Sequence, residues 1–321
     1  MNAAERPGGD LPRPTTPEGQ AGLNALLERP REALIGLDFD GTLAPIVPDP
    51  RAARAHPDVV PVLARLAPAV GTLAIITGRP AAEAVTYGGL DAVPGLVVLG
   101  HYGWQRWHDG ELTVPDPPAA LEAARHALPA LLSAAGADTV GADTGLDGTW
   151  IEDKTHALAV HTRRAADPRA ALDRLREPLT RLAAELGLAA EPGRLVIELR
   201  PRGVDKGSAL KELASETTAR CVMFVGDDLG DLAAFDAIRQ LRAGGIPGCT
   251  VASASPEVPA VAAAADLVVD GPAGVVGLLA AIADRITPAL QRGHPRAVSC
   301  SPSQRAGERS WARAARAADR R

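Results

Sequence analysis

Several scarcities narrow the chain before any motif is read. Aromatic residues make up only 3% of 321 positions, so a core has to be assembled from Leu, Val, Ile and the plentiful Ala. Cysteine is nearly missing. Cys221, Cys249 and Cys300 form an odd set without a C-x-x-C spacing, which argues against a disulfide framework or a zinc site and fits a reducing compartment. Long apolar runs are absent too, since "GVVGLLAAIA" (274–283) is far too short to span a bilayer. The opening "MNAAERPGGDLPRPTTPEG" has no apolar h-region, so a cytoplasmic protein without a membrane partner is expected. Nor is there a surplus of positive charge. A net charge of −5 argues against nucleic acid as a partner.

What is present is an ordinary globular composition, 46% hydrophobic and 23% charged, arranged in alternating strands and helices. Residues 1–30 are rich in Pro, Gly and Thr over most of their length and are expected to be disordered. From 31 to 104, apolar runs at 33–39, 72–77 and 96–100 read as strands, separated by helical patterns at 57–67 and from Pro80 onward. The same grammar returns over 205–288, with helices at 206–217, 229–239 and 274–286 and strands at 221–226, 249–252 and 266–269. Such alternation defines an α/β, Rossmann-like, doubly wound parallel sheet.

Residues 105–204 read differently. A hairpin around Asp109-Gly110, helices at 118–135 and 168–187, and strands at 149–153, 157–163 and 194–200 suggest an inserted α+β cap, with hinges near 104–106 and 203–205. From 289 to 321 the chain is an Arg-rich basic tail, expected to be disordered; nothing in it assigns a role.

Chemistry concentrates at the strand ends. "GLDFDGTLAPI" (36–46) places Asp38 and Asp40 where a buried strand stops, the edge at which open α/β sheets hold ligands. Alone, D-x-D also suits a polar turn. A second cluster, "GDDLGD" (226–231), puts Asp227, Asp228 and Asp231 at the end of another apolar strand. A parallel sheet brings both groups to one edge, where so much negative charge calls for a cation. Hard oxygen ligands beside a phosphate suit Mg²⁺. Thr77 in "IITGR" offers a hydroxyl and free amides at a strand-to-helix turn, an anion cradle. Lys206 opens the helix "DKGSALKEL", a place where the helix dipole disfavours a cation unless another anion is waiting for it.

Taken in order, D-F-D-G-T, Thr77, Lys206 and G-D-D-x-x-D resemble the haloacid-dehalogenase (HAD) superfamily of phosphohydrolases over about residues 31–286. The resemblance implies Asp38 as nucleophile, Asp40 as general acid and base, and Thr77 and Lys206 as phosphate-binding groups. It implies Mg²⁺ held by Asp38, the carbonyl of Asp40 and Asp227, with Asp228 and Asp231 as a supporting acidic shell.

Within that superfamily, "DFDGTLAPI", "IEDKTHALAVHTR" (151–163) and "ELRPRGVDKG" (198–207) resemble the trehalose-6-phosphate phosphatases. Their E-x-K, H-x-R and E-x-R-P runs imply substrate binding by Glu152, Lys154, Arg163 and Glu198, with His161 structural. Trehalose 6-phosphate is then the substrate, hydrolysed to trehalose and phosphate through an aspartyl-phosphate as the last step of trehalose biosynthesis.

Bland readings stand beside these. Glu152 and Lys154 also suit a solvated strand face, and Glu198, between Ile197 and Leu199, also suits simple alternation. Other sugar phosphates (sucrose-, glucosylglycerol- or mannosylglycerate-phosphate) and a non-catalytic sensor remain as alternatives. The chain departs from the family at His101-Tyr102-Gly103, where many members read Asn-His-Gly, so no contact from that loop carries over. No residue identifies a synthase partner.

Overall fold

The computed structural model describes residues 11–136, 146–193, 195–254 and 259–292. A helix α1 (Pro17–Glu28) leads into β1 (Ala33–Leu37), α2 (Val59–Leu66), β2 (Thr72–Ile76), α3 (Ala81–Gly88) and β3 (Val97–Gly100). A hairpin, β4 (Gln105–His108) and β5 (Glu111–Thr113), follows. Then come α4 (Ala119–Ala135), β6 (Trp150–Asp153), β7 (Leu158–His161), α5 (Pro168–Glu185), β8 (Leu188–Gly193) and β9 (Val196–Pro201). The α/β run resumes with α6 (Lys206–Glu216), β10 (Cys221–Gly226), α7 (Leu232–Ala243) and β11 (Gly248–Ser253). It ends with α8 (Pro259–Ala264), β12 (Leu267–Val269) and α9 (Gly271–Arg292).

Eight strands form one sheet in the order β12-β11-β10-β1-β2-β3-β4-β5. Neighbours from β12 to β3 are parallel, and β4 and β5 add an antiparallel edge. Both faces are covered, which is why β1 and β10 are buried throughout and read as unbroken apolar runs rather than alternating ones. Ile35, Leu37, Leu73 and Ile75 pack under α1, α2 and α9, while Leu34, Ile76 and Phe224 pack under α6 and α7. The strand order reverses beside β1, so β1 and β10 run side by side and both release their acidic segments at the carboxyl edge. That reversal is the switch point where ligands of such sheets bind.

A second, antiparallel sheet, β6-β7-β9-β8, packs with α4 and α5 around its own cluster of Leu128, Leu158, Val160, Leu175, Ile197 and Leu199. Its other face carries the polar residues of the strands.

Three expectations need correction. Residues 17–28, within the segment expected to be disordered, form α1. Thr16 caps it by accepting from the Gly19 amide at 3.1 Å, Pro17 occupies its first turn, and Leu23 and Leu26 are buried. The Thr16 hydroxyl also donates to Asp266, which accepts from the amide and hydroxyl of Thr250, both at 2.8 Å, and pairs with Arg242. The composition was misleading because a few apolar contacts and one buried carboxylate suffice to order a short helix.

The hairpin expected in the inserted unit belongs to the large sheet. Leu99 pairs with Arg106 and Gly100 with Gln105, and the turn has positive φ at Asp109 (48°) and Gly110 (85°), as a two-residue Asp-Gly turn requires. Residues 105 and 106 of the expected hinge thus lie in a strand paired with β3. The chain leaves the sheet after Thr113, through the stretch 114–118 with prolines at 115, 117 and 118, and returns across Gly203 (φ 76°) before Asp205 caps α6. At the C-terminus α9 runs to Arg292, past the expected start of the tail at 289. Residues 1–10, Cys300 and the rest of the basic tail lie outside the described residues.

Candidate active site

The end of β1 is drawn in by backbone pairing, with the Asp38 amide donating to the carbonyl of Val225 at 2.9 Å. Asp38 is buried at 4% exposure, as are Asp227 at 3% and Asp231 at 0%. Carboxylate oxygens of these three residues lie within 4.8 Å of one another. One cation faces them. Lys206 Nζ, itself buried, lies 2.9 Å from Asp38 Oδ1 and 2.7 Å from Asp231 Oδ1, and 4.0 Å from the exposed Asp228. The anion that the helix dipole demanded at the start of α6 is thus a pair of carboxylates.

One ammonium does not neutralise this cluster. Burial raises Asp38 well above the usual carboxylate range; Lys206 opposes the rise and Asp231 adds to it. Asp227 is pushed up to about 7 by burial and by its neighbours Asp231 and Asp228. Burial would lower Lys206, but Asp38 and Asp231 hold it above its ordinary value, so it stays charged. Carboxyls pushed up by burial and by one another, for want of positive charge, form a donor set that fits a divalent cation.

Asp231 is the brace of the group. Its Oδ2 accepts from the amides of Asp227 at 2.9 Å and Asp228 at 3.0 Å, and its Oδ1 accepts from Lys206. That leaves Asp227 free to point at Asp38. Gly41 makes room for it: φ is +72°, and a Cβ would lie 1.9 Å from Asp227 Oδ2. Only glycine satisfies both the left-handed backbone and the approach of a carboxylate.

Asp40 turns away from the cluster. Arg79 Nε and Nη2 donate to its two oxygens, each at 2.6 Å, a bidentate fork. Nothing in the sequence reading singled out Arg79, although it completes "IITGR". Its guanidinium also lies 5.7 Å from the Phe39 ring and 5.5 Å from that of Tyr87. Thr77 is buried at the end of β2, its hydroxyl accepting from the Arg79 amide at 3.2 Å. Asp38, Asp40, Thr77, Arg79, Lys206 and Asp228 line one cleft of about 520 Å³.

Glu152, Lys154 and Glu198 line a neighbouring cleft of about 420 Å³. Register explains their meeting. Ala159 in the middle strand pairs with Glu152 on one side and Glu198 on the other, so both carboxylates leave the same face across a small residue. Their neighbours Ile197 and Leu199 face the apolar cluster. Lys154 Nζ lies 2.6 Å from Glu198 Oε2, and Glu152 Oε2 lies 2.8 Å from Nε2 of His161. His161 stacks on Trp150 at 4.6 Å, a bracing position. Arg163 is exposed and lines neither cleft.

The second cleft also contains a pair the sequence reading did not single out. The rings of His101, after β3, and His156, between β6 and β7, lie 3.4 Å apart. Burial, with help from His156, lowers His101 to about 3, so it is neutral at physiological pH. Gly78 and Tyr102 line both clefts.

An acidic edge at a topological switch point, with a buried lysine and a strand-end threonine, sits on a Rossmann-like sheet of HAD type. A haloacid dehalogenase-like hydrolase from Bacteroides thetaiotaomicron shares the fold with TM-score 0.53 at 18% identity, over 77% of this chain and 98% of that one. The chain belongs to the trehalose-phosphatase family, whose model matches residues 36–272. It is 36% identical over 229 residues to the trehalose-phosphate phosphatase of Mycobacterium avium, covering 68% of this chain and 54% of that protein. It is also 36% identical over 217 residues to an uncharacterized glycosyl hydrolase of Mycobacterium tuberculosis, covering 65% of this chain but 15% of that one. The chain thus spans about half or less of the length of these curated relatives. The fold of Aspergillus fumigatus trehalose-6-phosphate phosphatase matches with TM-score 0.66 at 23% identity, over 85% of this chain and 99% of that one. Among the described residues no helix is long and apolar enough to cross a membrane.

Proposed function

We propose that this chain hydrolyses trehalose 6-phosphate to trehalose and phosphate. The observation that carries the proposal is the pairing of two clefts across a shared wall. One concentrates carboxylates, a buried ammonium and a strand-end hydroxyl; the other presents Glu152, Lys154 and Glu198 from one sheet face. The first suits a phosphoryl group and the second a polyol, because charged heads each bond several hydroxyls and a wrong sugar leaves them unpaired.

In this mechanism an Asp38 oxygen attacks phosphorus and the bond from phosphorus to the sugar oxygen breaks. Asp40 supplies a proton to that departing oxygen, which requires Arg79 to loosen its fork. Asp40 then takes a proton from water as the water oxygen attacks the phosphoryl group, freeing phosphate and regenerating Asp38. Thr77 and Lys206 hold phosphoryl oxygens throughout. Asp38, Asp227 and the Asp40 carbonyl are the proposed holders of Mg²⁺, which when bound would offset charge on the phosphoryl oxygens. Asp228 and Asp231 support that set, Asp231 through its bonds to two amides and Lys206. The unit from α4 to β9 acts as the cap, hinged at 114–118 and 202–205, and its closure excludes water.

Phosphate release from trehalose 6-phosphate, glucose 6-phosphate, sucrose 6-phosphate, glucosylglycerol phosphate and mannosylglycerate phosphate, each with Mg²⁺, tests the reading. A strong preference for the trehalose ester is expected. Preference for another ester would overturn the sugar assignment and keep the aspartate chemistry; no release from any would favour a sensor.

Cation binding should depend on pH in a defined direction. Between the ordinary carboxylate range and about 7, folded Asp227 holds a proton that the unfolded chain lacks, so this group's contribution to stability falls as pH rises through that window. A cation takes the proton's place. In thermal melts after chelator treatment, saturating MgCl₂ should raise Tm by about 5–10 °C at pH 8 and much less at pH 5. Equal gains at both pH values would contradict this account of Asp227.

A further inference from the structure

Tyr102 lies where the two clefts meet, and its setting is costly to maintain. Its φ is 60°, a left-handed backbone that bulky side chains avoid. The loop is held there by backbone bonds to the phosphate-side turn: the Tyr102 amide donates to the Thr77 carbonyl and the His101 amide to the Arg79 carbonyl, both at 2.9 Å. The guanidinium of Arg200, from β9, sits 5.0 Å from the centre of the Tyr102 ring. At the other end the hydroxyl lies against Gly78, where a Cβ would come within 2.8 Å of it. Core loop, cap strand and a bare glycine thus fix this phenol where the cleft lined by Lys206 adjoins the one lined by Glu198.

Among the described residues the Tyr102 hydroxyl makes no hydrogen bond. Burial and the nearby Glu198 carboxylate raise the phenol above its ordinary value, so it stays protonated and can donate. A ligand with its phosphate at Asp38 and its hydroxyls at Glu152, Lys154 and Glu198 has to pass this point. Both clefts are lined by Gly78 and Tyr102, and glycine offers no side chain.

We infer that Tyr102 is a specificity-determining residue whose hydroxyl donates to a ring oxygen or hydroxyl of the sugar bearing the phosphate. It reads the length of the bridge between the phosphoryl site and the polyol clamp. The inference rests on the function proposed above and concerns a position where the chain departs from the family pattern.

The test compares kcat/KM for trehalose 6-phosphate with that for p-nitrophenyl phosphate, an ester without sugar hydroxyls, in the wild type, Tyr102→Phe and Tyr102→Asn. The phenylalanine variant keeps the ring against Arg200, and asparagine tolerates the left-handed backbone. Tyr102→Phe should lower kcat/KM for the sugar ester by about 5- to 50-fold, mainly through KM. The value for p-nitrophenyl phosphate should fall by much less than that for the sugar ester. Tyr102→Asn should lose more on the sugar ester and again little on the aryl ester. Parallel losses on both esters, or no loss on either, would overturn the inference.

The wild type alone tests the underlying reading. If it prefers another sugar phosphate, the trehalose assignment fails, and Tyr102 is judged by the same comparison with that ester. If it hydrolyses no ester, both fall.

Discussion

Lys206→Met should cost about 3–5 kcal/mol of stability and lower phosphate release by at least about 10²-fold. Lys206 is 3% exposed and is held between Asp38 and Asp231 at 2.9 and 2.7 Å. Its removal leaves a buried acidic cluster without its ammonium. Breaking such a pair is severe because the remaining charges stay desolvated and repel each other. Chemical denaturation without metal, alongside phosphate release with Mg²⁺, checks both effects. The double variant Lys206→Met/Asp38→Asn separates them, since it removes one of the stranded carboxylates. It should recover part of the lost stability and none of the activity. A double variant no more stable than the single would show that Lys206 stabilises by packing its chain rather than by charge.

Asp38→Asn should abolish turnover, by at least about 10³-fold, while leaving the fold intact or slightly firmer without metal. An amide keeps the shape of the carboxylate but cannot form the phosphoryl bond. It also removes one like charge beside Asp227 and Asp231, and Lys206 keeps its 2.7 Å bond to Asp231. The outcome to compare is phosphate release against Tm in chelator. Loss of activity together with collapse of the fold would assign Asp38 a structural role, and retained turnover would remove it as the nucleophile. Loss of activity at unchanged or raised Tm would mark the strand end as a site where stability is given up for chemistry.

Much of this was legible along the chain, because local chemistry writes itself locally. The apolar runs of β1 and β10, the Asp-Gly turn of the hairpin, and the acids immediately after the strands are nearest-neighbour signals. In a parallel sheet, strand ends must share an edge, so Asp38, Asp40, Asp227 and Asp231 could be grouped from order alone. The short α1 was hidden by a Pro- and Gly-rich context, and its anchor, Asp266, lies about 250 positions away.

By itself, then, the sequence determined the α/β architecture, the acidic strand ends and the family pattern of the inserted segment. The first two follow from periodicity, turn residues and spacing, all set by short-range sterics and burial; the third is a resemblance carried by the motifs at 151–163 and 198–207. Only the tertiary structure decided that the hairpin extends the large sheet, that Arg79 forks onto Asp40, and that Glu152 and Glu198 leave one face across Ala159. It also decided that Tyr102 stands between the two clefts. The physical reason is common to all four: each depends on pairing or packing between segments that meet in space, and neither residue type nor local spacing encodes which partner a side chain will find.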